Sequence, residues 1–149
     1  GTNLRNANLE GITWIDGRIG EDSSLVRANI TNANLGKLRI DRAYCYRADF
    51  SNSNLVWASF DNTELRIAKF NEANCEDITF RGCRVQGADF EEANLSNSIF
   101  SNMEFGEYAG YMTNFEGRRV EGLRLTNNWT LPSNVMDNLE MRGATIKGR

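Results

Sequence analysis

Large apolar side chains recur every five residues along most of this chain. All eight phenylalanines stand at positions divisible by five, and Leu, Ile, Val or Cys fills nearly every other such position from 25 to 125. A small residue stands two positions before most of them, often followed by Asn or Asp. Neither the helical period of 3.6 residues nor the strand period of 2 generates this pattern. The sequence therefore predicts a five-residue structural repeat and excludes amphipathic helices and hairpins as its basis.

This unit resembles that of the pentapeptide-repeat family, which reads A-(D/N)-(L/F)-x-x. Segments 7–9, 33–35, 48–50, 88–90 and 93–95 match it outright, and looser copies cover nearly the whole chain. The resemblance implies an all-β fold, a right-handed quadrilateral parallel β-helix in which four pentapeptides form one coil of about twenty residues. The large apolar residue and the small residue two positions before it then point inward. We expect a single domain over residues 1–149 with about seven coils.

With twenty residues per coil, side chains twenty positions apart stack in columns. The structural core is predicted at Phe50, Phe60, Phe70, Phe80, Phe90 and Phe100, with Ile30 and Ile40 beginning the same two columns. The other inward columns are expected to be Leu35, Leu55, Cys75, Leu95, Phe115 and Cys45, Leu65, Val85, Phe105, Leu125. The outward ladders are expected to be Asn34, Asn54, Asn74, Asn94, Asn114 and Glu64, Arg84, Glu104, Arg124.

Three departures interrupt the repeat. The phase slips near 20–24 and again near 126–131, and segment 106–119 is irregular, with Tyr108 at a small position and Gly110 at a large one. Residues 131–149 form a candidate C-terminal cap with two interpretations. Either they make a last, shifted coil, or 131–142 forms a short helix with Pro132 in its first turn. We favour the shifted coil because 143–146 restores the repeat.

Composition argues against several classes of function. The chain has 17 Lys and Arg against 20 Asp and Glu, a net charge of −3 and no His. That charge excludes the basic surface of a direct nucleic-acid binder, and no apolar run approaches the ~20 residues that cross a membrane. The three cysteines show no metal or redox spacing and are expected inside the core as reduced thiols, which favours the cytoplasm. Without His, a metal motif or an enclosed pocket, we expect no enzyme activity and no cofactor.

Two sets of outward residues are candidates for binding. Apolar and aromatic side chains beside an arginine form a candidate interaction surface for a protein partner, with Tyr44, Tyr46 and Ile67 on one wall and Trp57 on the opposite one. Its members are Tyr44, Tyr46, Trp57, Arg66 and Ile67. A candidate acidic face comprises Asp49, Glu72, Glu76, Asp77, Asp89, Glu91 and Glu92.

The preferred function is a rigid, non-catalytic scaffold for protein–protein interaction. Some members of the resembling family mimic duplex DNA and bind type II topoisomerases with quinolone protection, so the acidic face implies DNA gyrase or topoisomerase IV as alternative partners. A second alternative is a substrate-recognition segment of a larger multidomain effector enzyme. The chain enters mid-repeat at Gly1 without a visible polar cap. We therefore expect either a longer parent protein or a homodimer formed through the uncapped end.

Overall fold

The computed structural model describes residues 1–116, 119–126 and 131–147. It shows an all-β, right-handed parallel β-solenoid with one short helix. The solenoid has about six turns, so the expectation of about seven coils was slightly too high. The difference arises because a hairpin and a helix take up residues that the regular repeat would have used for another coil.

One wall of the solenoid is a seven-stranded parallel sheet, and the other walls are held by single parallel bridges. The strands are β1 (Arg18–Ile19), β2 (Arg39–Asp41), β3 (Ser59–Asp61), β4 (Thr79–Arg81), β5 (Ile99–Ser101), β6 (Glu107–Tyr108), β7 (Tyr111–Met112), β8 (Arg124–Thr126) and β9 (Thr145–Lys147), with helix α1 (Ser133–Met141) between the last two. The order in the wall is β1-β2-β3-β4-β5-β8-β9, whereas β6 and β7 form a separate antiparallel hairpin.

Most corners of the solenoid place one residue in the left-handed backbone region. It lies two positions after the large inward residue, and its φ is 57° at Arg27, 59° at Asn52 and 57° at Ile67. Many corners also carry a bond between the first and fourth turn residues, such as the Ala28 N–H donated to the Leu25 carbonyl at 2.9 Å. A positive φ at the third position with this bond describes a type II turn, which favours Gly or Asn there.

The phenylalanine core is confirmed. Phe70 stacks on Phe50 and Phe90 with ring centroids 5.1 and 4.8 Å apart, and it meets Phe60 and Phe80 edge to face at 5.9 and 5.6 Å. The six predicted core phenylalanines are completely buried. The two opposite columns therefore contact each other directly across the tube, and their offset and edge-to-face geometry is the one aromatic quadrupoles prefer.

The spacing between stacked residues changes along the chain. Bridged partners are 21 residues apart in the first coil (Asn8 with Asn29), which places one extra residue in the segment that contains the first predicted slip. The spacing is then 20 residues, as for Asn54 with Asn74. Partners on either side of the hairpin, from Asp89 with Asn114 to Ile99 with Arg124, are 25 residues apart, because the hairpin adds five residues to one corner. Between β8 and β9 the spacing is again 21.

This longer spacing corrects the expected columns beyond residue 105. Phe115 was expected above Leu95 but stacks on Phe90. Leu125 was expected above Phe105 but pairs with Phe100. In the outward ladders Asn114 bridges Asp89, not Asn94, and Arg124 pairs with Ile99, not Glu104. The structure also contains a hairpin and a helix outside the regular repeat. The exclusion of helices and hairpins therefore applies only to the five-residue repeat itself.

At the C-terminal end the structure has a helix where a shifted coil was favoured, so that preference was wrong for 133–141. Pro132 precedes α1 with φ −58°, and Leu139 is fully buried against the last coil. Proline is suited to a helix start because its missing N–H would have no helical partner. The repeat does resume at Thr145, where β9 pairs with β8. Residues 127–130 of the second predicted slip, and 117–118, lie outside the described residues.

Candidate protein-interaction surface

All four tyrosines of the chain lie on or beside one wall. We call this the tyrosine wall; its middle column of bridged residues is Ser24, Tyr44, Glu64, Arg84 and Glu104. Tyr46 lies beside Tyr44 at the adjoining corner. Tyr108 and Tyr111 reach the wall from the β6–β7 hairpin, and the ring of Tyr108 meets that of Tyr46 edge to face at 6.1 Å.

The hairpin folds back onto the wall and covers part of it. The Arg66 guanidinium lies 4.3 Å from the centre of the Tyr108 ring. At Gly87 (φ +70°) an added Cβ would lie 2.9 Å from the carbonyl oxygen of Tyr111 and 3.4 Å from Ile67. Glycine is therefore required there both by the left-handed turn and by the approach of the hairpin backbone.

Arg66 is held rigidly beneath the hairpin. Its Nε and Nη2 both donate to the Glu64 carboxylate at 2.7 Å, and the Arg66 backbone N–H donates to the same side chain at 3.1 Å. These bonds raise the pKa of the Arg66 guanidinium above its ordinary value. Glu64 also lies 3.9 Å from Arg84, which pairs with Glu104 at 3.3 Å, so the predicted alternating ladder is present over these three coils. A forked arginine of this kind is a preorganised platform for a partner.

The five predicted interaction residues do not share one exposed patch. Tyr44 is 51% exposed and Trp57 58% exposed, and they lie on opposite walls as expected. Tyr46, Arg66 and Ile67 are only half-buried neighbours of the hairpin rather than freely exposed side chains. The sequence pattern could not show this, because it does not reveal where an irregular insertion folds.

Trp57 forms a smaller second cluster. Its indole Nε1 donates to Asp77 at 3.1 Å, and the ammonium of Lys37 lies 5.3 Å from the ring centre. Ile15, Gly36 and Trp57 line a shallow notch of about 240 Å³. Trp57 also has a φ of 59°, so a bulky side chain occupies a left-handed corner.

On the acidic face, Asp49 and Asp89 are largely committed to local hydrogen bonds. Lys69 lies between them in one column of residues whose backbones are paired from coil to coil. Asp49 accepts from the backbone and hydroxyl of Ser51 at 3.0 and 2.6 Å, and Asp89 accepts from the side-chain amides of Asn71 and Asn114 at 2.7 and 2.9 Å. Acceptor sites of these half-buried carboxylates are therefore occupied, which leaves fewer of them for a partner.

The remaining acidic residues flank the wall opposite the tyrosine wall. Its middle column includes the predicted Asn34, Asn54, Asn74 and Asn94 ladder, in which Asn54 donates to Asn34 at 3.1 Å and Asn94 to Asn74 at 3.0 Å. Exposed acids occupy one corner of this wall and half-buried ones the other. The first corner carries Glu72, Glu91 and Glu92, and the second carries Glu76 and Asp77. The wall therefore has two acidic edges separated by a row of amides.

The cavities seen among the described residues are open grooves. One of about 680 Å³ lies on the tyrosine wall and is lined in part by Arg5, Tyr44 and Arg66. Within the described ranges no three His, Cys, Asp or Glu side chains are grouped to hold a metal ion. All three cysteines are buried and free, as predicted. None of the helices in the described part of the chain could cross a membrane.

The sequence reasoning missed Tyr108 and Tyr111. A signal for them exists in segment 107–112, where Tyr108 and Tyr111 flank the dipeptide Ala109-Gly110. Both turn residues have positive φ, 53° and 84°, as a type I′ hairpin turn requires. Two aromatic residues around a two-residue turn that ends in glycine are typical of a hairpin.

Comparison with known proteins identifies the class of this solenoid. A model described as pentapeptide repeats (8 copies) matches residues 23–66 and 68–106. The chain therefore belongs to the pentapeptide-repeat family. No curated protein sequence matches it.

Solved structures agree in fold. The pentapeptide repeat protein Rfr23 from the cyanobacterium Cyanothece 51142 has a TM-score of 0.56 at 22% identity, over 74% of this chain and 86% of that one. Trypsin-treated QnrB1, a plasmid-mediated fluoroquinolone resistance protein, has a TM-score of 0.58 at 17% identity, over 99% and 90%. At these identities the likeness extends to the fold alone.

Proposed function

We propose that this protein is a rigid, non-catalytic scaffold that binds a protein partner through the tyrosine wall, in the cytoplasm. The observation that carries the proposal is the gathering of all four tyrosines on one wall, around the fixed Arg66–Glu64 pair. Tyr and Arg are the residue types most enriched among interface hot spots.

The composition of this wall is not required by the solenoid. Tyr44 and Tyr111 are each more than half exposed, and Met112 beside Tyr111 is 51% exposed. Exposed aromatic side chains contribute little to folding but supply large contact areas with only two rotatable bonds to immobilise. A stacked β core adds rigidity, so binding requires little backbone ordering.

The test is site-specific photocrosslinking in cells of the source organism. A photoreactive phenylalanine analogue at Tyr44 or Tyr111 is expected to yield a discrete crosslinked protein band. The matched control places the same analogue at Ser59 or Thr79, which lie on the sheet wall away from the tyrosines. Bands at the control positions as strong as those at Tyr44, or no bands at either tyrosine, would reject the tyrosine wall as a binding surface.

A second candidate function is mimicry of duplex DNA toward a type II topoisomerase such as gyrase. Two acidic edges on either side of a narrow amide row resemble two rows of phosphates beside a groove, and they support this alternative. Adding the protein to a gyrase supercoiling assay should then inhibit the enzyme and protect it from quinolones, and Glu72→Lys with Glu92→Lys should abolish both effects. Absence of both effects with the unaltered protein would eliminate the alternative.

A further inference from the structure

Three arginines line the corner beside the tyrosine wall without acidic partners. The bridges Asn3–Ser24 and Ser24–Tyr44 place Arg27 and Arg47 in one corner column and Arg5 next to it. We call Arg5, Arg27 and Arg47 the arginine corner. All three are exposed, and within the described residues none of them forms an ion pair, whereas Arg66 and Arg84 on the adjoining wall do.

The solenoid itself gives no reason for this arrangement. Arg27 and Arg47 occupy left-handed positions, φ 57° and 56°, where a corner favours Gly or Asn. They also place like charges on successive coils, whose backbones are about 4.8 Å apart. Lys37, Arg42, Glu72 and Glu92 occupy similar left-handed positions, so the feature particular to this corner is the stacking of two positive charges without an acidic partner. Such a stack opposes stability, and local rules are typically broken in this way where a surface serves binding.

A groove adjoins the arginine corner. It runs along the solenoid axis on the tyrosine wall, with small Ser24 and Val26 as its floor and Tyr44 and Tyr46 at the next coil. The guanidinium of Arg47 lies 5.4 Å from the centre of the Tyr46 ring and makes a cation–π contact with it. The lining extends over four strand spacings, from Asn3 to Arg84, so the groove matches roughly five to six residues of extended chain.

The unpaired charge of this groove and its corner is positive. Arg66 and Arg84 in the lining are paired with Glu64 and Glu104, which leaves the three arginines of the arginine corner against one unpaired acid, Asp22, among the described residues. Glu64 is already neutralised by the forked bond from Arg66, and only 12% of its side chain is exposed. A local positive surface on a chain with a net charge of −3 is a specific feature rather than a general property of this protein.

We propose that the arginine corner and its groove bind an extended acidic peptide segment of a partner protein. Guanidinium groups receive carboxylates through two parallel hydrogen bonds, and Tyr44 and Tyr46 would pack against the intervening apolar side chains. A peptide is favoured over nucleic acid because the net charge of −3 and the two acidic edges of the opposite wall would repel a longer phosphate backbone. The inference rests on the proposed function and names the class of its partner.

The test uses fluorescence anisotropy with a labelled decapeptide of alternating Glu and Val as the probe, at low ionic strength. We expect saturable binding, and we expect the double variant Arg27→Gln, Arg47→Gln to weaken it at least about tenfold, since each lost charge-assisted bond accounts for several-fold. The matched control is Arg18→Gln, Arg39→Gln, which removes two arginines one coil apart on the sheet wall. This control should change the affinity less than about twofold.

Three outcomes would overturn the inference. The first is that both double variants weaken binding of the Glu-Val decapeptide equally. The second is that a Gln-Val decapeptide binds as tightly as the Glu-Val decapeptide. The third is that a ten-nucleotide single-stranded DNA binds more tightly than the Glu-Val decapeptide. The photocrosslinking experiment distinguishes a failure of the acidic-peptide inference from a failure of the proposed binding through the tyrosine wall. Crosslinks at Tyr44 without peptide binding would reject only the acidic partner, whereas loss of both would reject the tyrosine wall as well.

Discussion

The ring of Phe115 stacks on the ring of Phe90, with centroids 5.3 Å apart and planes within 3° of parallel, although the two residues are 25 positions apart. The five extra residues lie in the β6–β7 hairpin, outside the stacked coils. Thr113 resumes the small inward position directly after it, where its hydroxyl donates to the Val85 carbonyl at 2.9 Å. Ser53 and Ser98 make the equivalent bond in regular coils, at 2.7 and 2.8 Å. The insertion therefore changes the surface and leaves the core continuous.

Removing the hairpin should consequently spare the fold. We expect the replacement of 106–112 by the dipeptide Asn-Gly to restore a twenty-residue spacing and to shift the melting temperature by only a few degrees. Circular dichroism during heating measures this, and Tyr46, whose ring contacts Tyr108 of the hairpin, should become more accessible. Loss of cooperative unfolding would show that the hairpin is part of the structural core.

Truncating a central ring should be strongly destabilising. Phe70 touches four other phenylalanines and is fully buried, so Phe70→Ala should lower the free energy of unfolding by about 3–5 kcal/mol. Glu72→Lys, two residues away on the exposed corner, should change it by less than about 0.5 kcal/mol. Urea unfolding followed by circular dichroism compares the two. Equal effects would contradict the assignment of inward and outward positions.

Replacing Trp57 by a residue suited to its corner should stabilise the solenoid. An L side chain other than Asn, Asp or Gly is strained at a φ of 59°, whereas the exposed contacts of Trp57 with Lys37 and Asp77 contribute little. Trp57→Asn should raise the free energy of unfolding by about 0.5–1 kcal/mol. Asn52→Trp, the reverse change at an equivalent corner, should lower it. If Trp57→Asn is destabilising, the indole is structural and not reserved for binding.

The buried thiols should make stability fall at high pH. Burial raises the pKa of Cys83 to about 12 and those of Cys45 and Cys75 further above the ordinary value of 9.0. As the pH rises past 9.0, the thiols of the unfolded chain lose their protons before those of the folded chain. The contribution of the buried thiols to the free energy of unfolding is therefore complete below pH 9.0 and decreases as the pH rises toward the folded pKa. Each thiol should contribute about 1.4 kcal/mol per pH unit in this window.

Urea unfolding between about pH 8 and 10.5 measures this slope. Cys75→Val, which preserves an apolar side chain of similar volume, should reduce the slope by about one thiol's share. Unchanged slopes, or rapid reaction of the native thiols with a thiol reagent, would place the cysteines outside the core.

Sequence alone determined the repeating part of this protein. A period of five with alternating size and polarity fixes which side chains point inward, because each pentapeptide contributes one wall and one corner by local geometry. The columns from 25 to 105, the buried cysteines and the Glu64–Arg84–Glu104 ladder follow from that rule. The left-handed corner positions also had a signal, in the frequent Asn and Gly there, but Trp57 and Ile67 obscured it.

Only the tertiary structure decided what happens where the period breaks. Whether Phe115 meets Phe90 or Leu95 depends on how many residues the hairpin withdraws from the coil, and no local pattern counts them. The same applies to Tyr108 over Arg66, a contact between residues 42 positions apart that exists because the hairpin folds back along the wall. Helix α1 likewise replaces part of a coil because its buried Leu139 packs on the end of the solenoid. Contacts between coils are long-range, so they arise from register and packing, which the five-residue pattern specifies only while it remains unbroken.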